Sequence, residues 1–161
     1  CVIFGFDGEV LKVLLVERGG EPYKGCWAFP GGFLNMDETT DECAVRELEE
    51  ETGLRDVFVE QLQVFSGVDR DPRGRTITLA YYALVNPVGI KVAGYDDAAD
   101  ARWFTLSDMP SLAFDHEHVL LVALHRLALK VYLQLNGIEE LDEHFKGFDL
   151  KRLQDLIPDK L

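Results

Sequence analysis

The strongest constraint on this chain is a set of spaced identities: Gly32, then Glu38, then the unbroken run from Arg46 to Leu54. In general form the spacing is G-x(5)-E-x(7)-R-E-U-x-E-E-x-G-U, with U a bulky aliphatic residue. Glu47, Glu50 and Glu51 stand at i, i+3 and i+4, so a helix puts them on one face. Like charges at that spacing repel, by roughly 0.2–0.5 kcal/mol per pair in an isolated helix. A chain that concentrates acid in this way either solvates it or supplies a cation, and the surrounding punctuation favours the cation. The spacing predicts a helix from Thr39 or Thr40, with Thr39 and Glu42 forming a capping box and Gly53 the C-terminal cap. Ala44, Val45 and Leu48 form its buried stripe, and Glu42 pairs with Arg46.

The segment Gly32 to Leu54 resembles the Nudix box at every specified position. Trp27 to Gly32 is similar to the strand and loop that lead into that box, and a weaker likeness covers residues 1–135. The resemblance implies an α/β fold, a Nudix-type α/β/α sandwich with a curved mixed β-sheet. It implies Mg²⁺ as cofactor, with Mn²⁺ as the alternative, held by Glu47, Glu50, Glu51 and the Gly31 carbonyl. Glu38 would add an outer contact, and Arg46 would hold the glutamates by charge-assisted hydrogen bonds. Mg²⁺ takes few protein carboxylates and leaves the rest of its shell to phosphates and water, which suits three glutamates on one turn. Such metals neutralise a diphosphate and lower the pKa of a bound water. Glu47, Glu50 and Arg46 are the catalytic candidates. The general base is Glu50 or Glu47 first, and Asp96, Asp97 or Glu117 second.

At 161 residues the chain suits one domain, here residues 1–135, with residues 136–161 as a C-terminal helical extension. A net charge of −13 argues against bare nucleic acid as partner but not against nucleotides, whose phosphates a metal can meet. Cys1, Cys26 and Cys43 show no disulfide or zinc spacing, which points to a cytoplasmic protein. No run reads as apolar enough to span a membrane.

Cys1–Phe6 and Leu11–Val16 read as a hairpin around Asp7-Gly8, and Trp27–Phe29 as a short strand. Val57–Val68 and Thr76–Val85 are β-rich runs separated by the polar loop Asp69–Arg75, and Ala101–Thr105 is another strand. Asp115 caps an amphipathic helix over His116–Leu135, with Val119, Leu120, Val122, Ala123, Leu127 and Val131 near its core side. Asn136-Gly137 ends it, and one or two short helices divided near Gly147 follow.

The stretch Val68–Val85 and the run Leu112–His116 resemble the bacterial ADP-ribose pyrophosphatase-like branch of the family. That likeness implies hydrolysis of ADP-ribose to AMP and ribose 5-phosphate. The alternatives are hydrolysis of nucleoside triphosphates or other nucleotide sugars, and an ADP-ribose-sensing Nudix domain of a transcriptional regulator. For the last, Phe148–Gln154 faintly resembles the opening of a winged helix. The substrate-binding candidates are Arg18, Arg70, Arg75, Phe29 and His116, with Arg73, Trp27 and Tyr81 also considered. The loop arginines have a plainer role open to them, pairing with Asp69 and Asp71. His116 and His118 diverge by about 200° on a helix, which disfavours zinc. The family resemblance also makes a homodimer an expectation.

Overall fold

The computed structural model describes residues 1–138, 140 and 142–158. Strands β1 (Val2–Phe6) and β2 (Leu11–Arg18) form the expected hairpin, its turn closed by the Asp7 carboxylate, which accepts from the Glu9 and Val10 amides. Then follow β3 (Trp27–Ala28), α1 (Thr40–Thr52), β4 (Glu60–Phe65), β5 (Thr78–Val85), β6 (Ala98–Thr105), α2 (His116–Leu135) and α3 (Leu150–Leu156).

Strand β2 organises the sheet. Antiparallel β6 pairs with it from Lys12 to Arg18. Its other edge is shared: β1 takes the first half, with Phe4 opposite Val13, and β3 the second, with Val16 opposite Ala28. β1 continues to β5 in parallel, and β5 to β4 antiparallel. The sheet is therefore mixed, and it forks where the start of β1 meets the end of β3. There the Cys1 nitrogen donates to the Pro30 carbonyl at 2.6 Å.

Strand periodicity assigns the layers. Val2, Phe4 and Phe6 of β1, with Leu11, Val13 and Leu15 of β2, join Val119, Ala123, Leu127 and Val131 of α2 in the larger core. Ile3 and Leu14 point the other way and meet Ala83, Leu48 and Leu54 beneath α1. The result is the α/β/α sandwich. Phe145, Leu150, Leu153 and Ile157 belong to the larger core, and the Phe148 ring lies 6.3 Å from that of Phe6. The segment likened to a winged-helix opening thus docks on the same sheet. Of the expected extension 136–161, residues 139, 141 and 159–161 lie outside the described ones.

Several details differ from the expectations. Val45 is exposed, because α1 touches the sheet along the narrow ridge Ala44–Leu48–Thr52, with Cys43 beside it. Glu42 is used by the capping box, so Arg46 pairs elsewhere. β4 begins at Glu60, since Val57 and Val59 pack irregularly into the α1-side core. β6 begins earlier, at Ala98, where it still pairs with Arg18. Asp115 precedes α2 but makes no capping hydrogen bond, because Arg70 takes its carboxylate. By length and composition α2 is apolar enough to cross a membrane, contrary to the sequence reading. It nonetheless buries Val119, Ala123, Leu124, Leu127 and Val131 on the sheet, and its Arg126 donates to the Gln61 and Leu62 carbonyls.

Candidate active site

Helix α1 is defined at both ends. The Thr39 hydroxyl accepts from the Glu42 amide at 3.3 Å, and the Glu42 carboxylate accepts from the Thr39 amide at 2.8 Å. Gly53, at φ 74°, closes the helix by donating its N–H to the Glu49 carbonyl at 2.8 Å. The acids fall in the last two turns, where the helix dipole is negative, and the last turn holds no basic residue. Two other devices hold them.

The first is Arg46. Its Nη1 donates to Glu47 and to Glu50, each at 2.8 Å. Its Nε and Nη2 fork onto the two Glu38 oxygens at 2.8 and 2.6 Å, and Nη2 also reaches the Phe33 carbonyl at 3.2 Å. This fork, with the Asn35 amide, holds the Glu38 carboxyl down at about 2. The second device is the glycine loop. Glu51 accepts from the Gly31 amide at 2.8 Å. Burial pushes its carboxyl up to about 7; the Gly31 hydrogen bond opposes the shift, and the charges of Glu47 and Asp97 add to it. Gly32 leaves the room that Glu47 fills: a Cβ there would stand 2.2 Å from Glu47 Oε1.

The three acids of the turn therefore have two targets rather than one. Glu47 and Glu51 line a common cleft, whereas Glu50 is exposed and tied to Arg46. Among the described residues, no three His, Cys, Asp or Glu side chains gather about one point. The donor set still fits a divalent cation. Two hard-oxygen donors lie together, one of them half-buried beside a like charge, and a dication would relieve that repulsion.

The opposite wall comes from the β4–β5 loop and the start of α2. Arg70, its side chain 6% exposed, grips Asp115 through Nε and Nη2 at 3.0 and 2.7 Å and also donates to Thr78 Oγ1. Buried Asp71 holds Arg73 through Nε at 3.0 Å and Nη2 at 2.7 Å, and its own carboxyl is drawn down to about 2 by those hydrogen bonds. The Arg73 guanidinium lies 5.6 Å from the rings of both Phe33 and Phe114. Arg18 donates to the Pro22 carbonyl and sits 4.8 Å over Phe114. His116 Nδ1 accepts from the Phe29 amide at 3.1 Å, which places the proton of the neutral ring on Nε2. Burial is the main reason its pKa falls to about 4.

Of the expected site residues, Gly31, Glu47, Glu51, Arg18, Arg70, Phe29 and His116 line one cleft of about 880 Å³. That volume suits a nucleotide-sized ligand. Asp96 and Asp97 line it too, while Glu117 is exposed on α2 and does not. Arg75 does not line it; its guanidinium donates to the Ser66 and Gly67 carbonyls at 2.8 and 3.0 Å. Arg73 takes the plainer pairing with Asp71, whereas Arg70 pairs across to α2. Trp27 packs edge-on against Phe104, and Tyr81 is buried and bonded to Thr40 and Asp41. His118 turns to Phe65, away from His116. Phe33 and Phe114 were not among the expected site residues. The available signal for Phe114 was its place just before His116 at a helix start.

A model of the NUDIX domain matches residues 1–124. The chain is 44% identical over 109 residues to the ADP-ribose pyrophosphatase of Methanocaldococcus jannaschii, covering 68% of this chain and 63% of that protein. It is 33% identical over 159 residues to the ADPR responsive transcriptional repressor NtrR of Acinetobacter baylyi, covering 96% of this chain and 63% of that protein. It thus spans less than two thirds of the length of either relative. Among solved structures, the NUDIX domain of Shewanella oneidensis NrtR complexed with ADP ribose aligns at a TM-score of 0.72 and 34% identity, covering 78% of this chain and 84% of that one. A MutT/nudix family protein from Enterococcus faecalis aligns at 0.74 and 32%, covering 84% and 65%. With its complete box, its sandwich of helices around a forked sheet and a match over residues 1–124, the chain belongs to the Nudix family.

Proposed function

We propose that this chain hydrolyses the diphosphate bridge of a nucleoside diphosphate linked to another moiety, and that ADP-ribose is the substrate, cut to AMP and ribose 5-phosphate. The observation that carries the reading is the pair Glu47 and Glu51 on one wall of a cleft whose other wall presents arginines and aromatic rings. The acid wall would hold the cation that a diphosphate needs, and the flanking groups would meet flat and cationic surfaces on the other side. The likeness to an ADP-ribose pyrophosphatase and to an ADP-ribose-bound Nudix domain supports the choice of substrate.

Glu47, Glu51 and the Gly31 carbonyl would hold Mg²⁺, with Mn²⁺ as a substitute, and Glu50, here bonded to Arg46, would be the further carboxylate ligand. When bound, the cation neutralises the diphosphate and acidifies a water. Arg46 keeps Glu47 aligned, and Gly32 leaves its carboxylate the space it occupies. In the reaction a water oxygen bonds to one phosphorus and the bond from that phosphorus to the bridging oxygen breaks. The departing phosphate takes the electron pair, and a cleft carboxylate takes the water proton. Glu47, Asp96 and Asp97 line the cleft, which supports one of them in that last task; Glu50 and Glu117 do not line it.

The test is a panel of ADP-ribose, other nucleotide sugars and nucleoside triphosphates with Mg²⁺, with products identified by chromatography. ADP-ribose should dominate; a preferred triphosphate would overturn the substrate. A second reading, an ADP-ribose-sensing domain, is favoured by the match to the repressor, which runs on through the C-terminal helices. Retarded migration of promoter DNA without any hydrolysis would select it. The expected homodimer is checked by light scattering.

A further inference from the structure

We propose that Phe114 is the platform on which the nucleobase of the substrate stacks, with Arg18 and Arg73 closing on the same ring. The inference rests on the hydrolase reading above and names the subsite that would recognise the base. Phe114 is a bulky residue at φ 55°, a left-handed conformation that normally falls to glycine or asparagine. Its neighbours account for this. Ala113 donates to the Trp27 carbonyl at 2.8 Å, Asp115 is gripped by Arg70, and His116 accepts from the Phe29 amide. The chain is pinned on both sides of residue 114, so the turn holds the ring at the cleft wall. Backbone alone would prefer glycine at this place, so what phenylalanine adds is its ring.

Four separate elements bring side chains to that ring. Arg18 comes from the end of β2 at 4.8 Å and Arg73 from the β4–β5 loop at 5.6 Å. Tyr23 packs against it from the loop before β3, with centroids 4.7 Å apart, and His116 comes from α2 at 5.6 Å. Arg73 also touches Phe33, which follows Gly32, the glycine packed against the Glu47 carboxylate. A continuous path therefore runs from the acid wall through Phe33 and Arg73 to Phe114, which suits a diphosphate and the base beside it. Arg73 is fixed by Asp71, whereas Arg18 has no carboxylate partner among the described residues, leaving its charge for a ligand phosphate. A flat, π-faced group flanked by guanidinium ions selects a nucleobase over a sugar.

Calorimetric titration of the full chain with AMP and, separately, with ribose 5-phosphate tests the proposal without requiring turnover. Wild type should bind AMP. Phe114→Leu should weaken AMP roughly 10- to 100-fold and leave ribose 5-phosphate unchanged, and Phe114→Trp should retain AMP binding. Phe114→Gly, which relieves the backbone, repeats the measurement should the leucine variant fold poorly. Unchanged AMP affinity, no AMP binding by wild type, or equal weakening of AMP and ribose 5-phosphate would overturn it. If ADP-ribose is not cleaved but AMP binding depends on Phe114, the hydrolase reading fails and the stacking site stands. If ADP-ribose is cleaved with a KM untouched by Phe114→Leu, the hydrolase stands and the stacking site fails.

Discussion

The two walls of the cleft are built by opposite means. The acid wall comes from one helix and the loop before it: capping box, arginine clamp, glycine cap and glutamates all lie between Gly31 and Gly53. The arginine–aromatic wall draws on residues as far apart as Arg18, Arg73 and Phe114, joined by the Arg70–Asp115 pair. On the proposed reading, the first wall meets the diphosphate bridge. The second would meet whatever flanks it, so substrate choice would rest on contacts that form only after the chain has folded.

This division makes its largest prediction in kinetics. With ADP-ribose and saturating Mg²⁺, Glu47→Gln and Glu51→Gln should each lower kcat by more than about a hundredfold, since a displaced cation forfeits several kcal/mol of charge stabilisation. Phe114→Leu should act chiefly on KM. Steady-state rates with each variant decide; a Glu51→Gln effect confined to KM would break the comparison. Arg46→Lys retains the charge but not the fork onto Glu38, Glu47 and Glu50, and should lower kcat by roughly tenfold. An unchanged kcat would reduce Arg46 to a surface pair.

The same contrast explains what the sequence disclosed. The box helix was legible to its caps, because Thr39, Glu42 and Gly53 act on neighbours within a few residues. The two faces of the hairpin and the extent of α2 were legible for the same reason, from period and turn chemistry. The destinations of charges were not. Glu50 follows Arg46, Asp115 abandons its capping role for Arg70, and Arg75 turns to the Ser66 and Gly67 carbonyls. In each case a partner distant in sequence, or a second local option of similar energy, decides. Phe114 illustrates the limit: its role depends on anchors at Trp27, Phe29 and Arg70 that no local pattern reveals.

The Arg70–Asp115 pair should carry the second wall's stability. Arg70 is almost fully buried while Asp115 is one-quarter exposed, so Arg70→Met should cost about 2 kcal/mol rather than the roughly 3–5 kcal/mol of a wholly buried pair. For a chain of this length that is a fall in Tm of about 4–8 °C. Adding Asp115→Asn should recover part of the loss, since no buried charge then stands alone. A melting series shows whether it does, and full additivity of the two substitutions would deny the coupling.

Acid–base behaviour is the finest test, because the two walls titrate in opposite senses. Glu51 rises from 4.5 to about 7, so between those values the folded chain keeps a proton that the unfolded chain has lost. Its contribution to stability therefore falls as pH rises through that window. His116 drops from 6.5 to about 4; there the unfolded chain binds the proton and the folded chain does not, so its contribution rises with pH. In the metal-free protein the two slopes oppose each other over most of their range, and the wild-type profile between pH 4.5 and 6.5 should be shallow. Glu51→Gln should leave the histidine slope, with stability climbing toward neutrality. His116→Gln should leave the glutamate slope, with stability declining. Each should amount to no more than about 2 kcal/mol, since both side chains are only partly buried. Excess Mg²⁺ should reverse the glutamate slope alone, because a bound dication favours the ionised carboxylate. Denaturant melts across pH with and without the cation would show it, and a cation-insensitive profile would separate Glu51 from the metal.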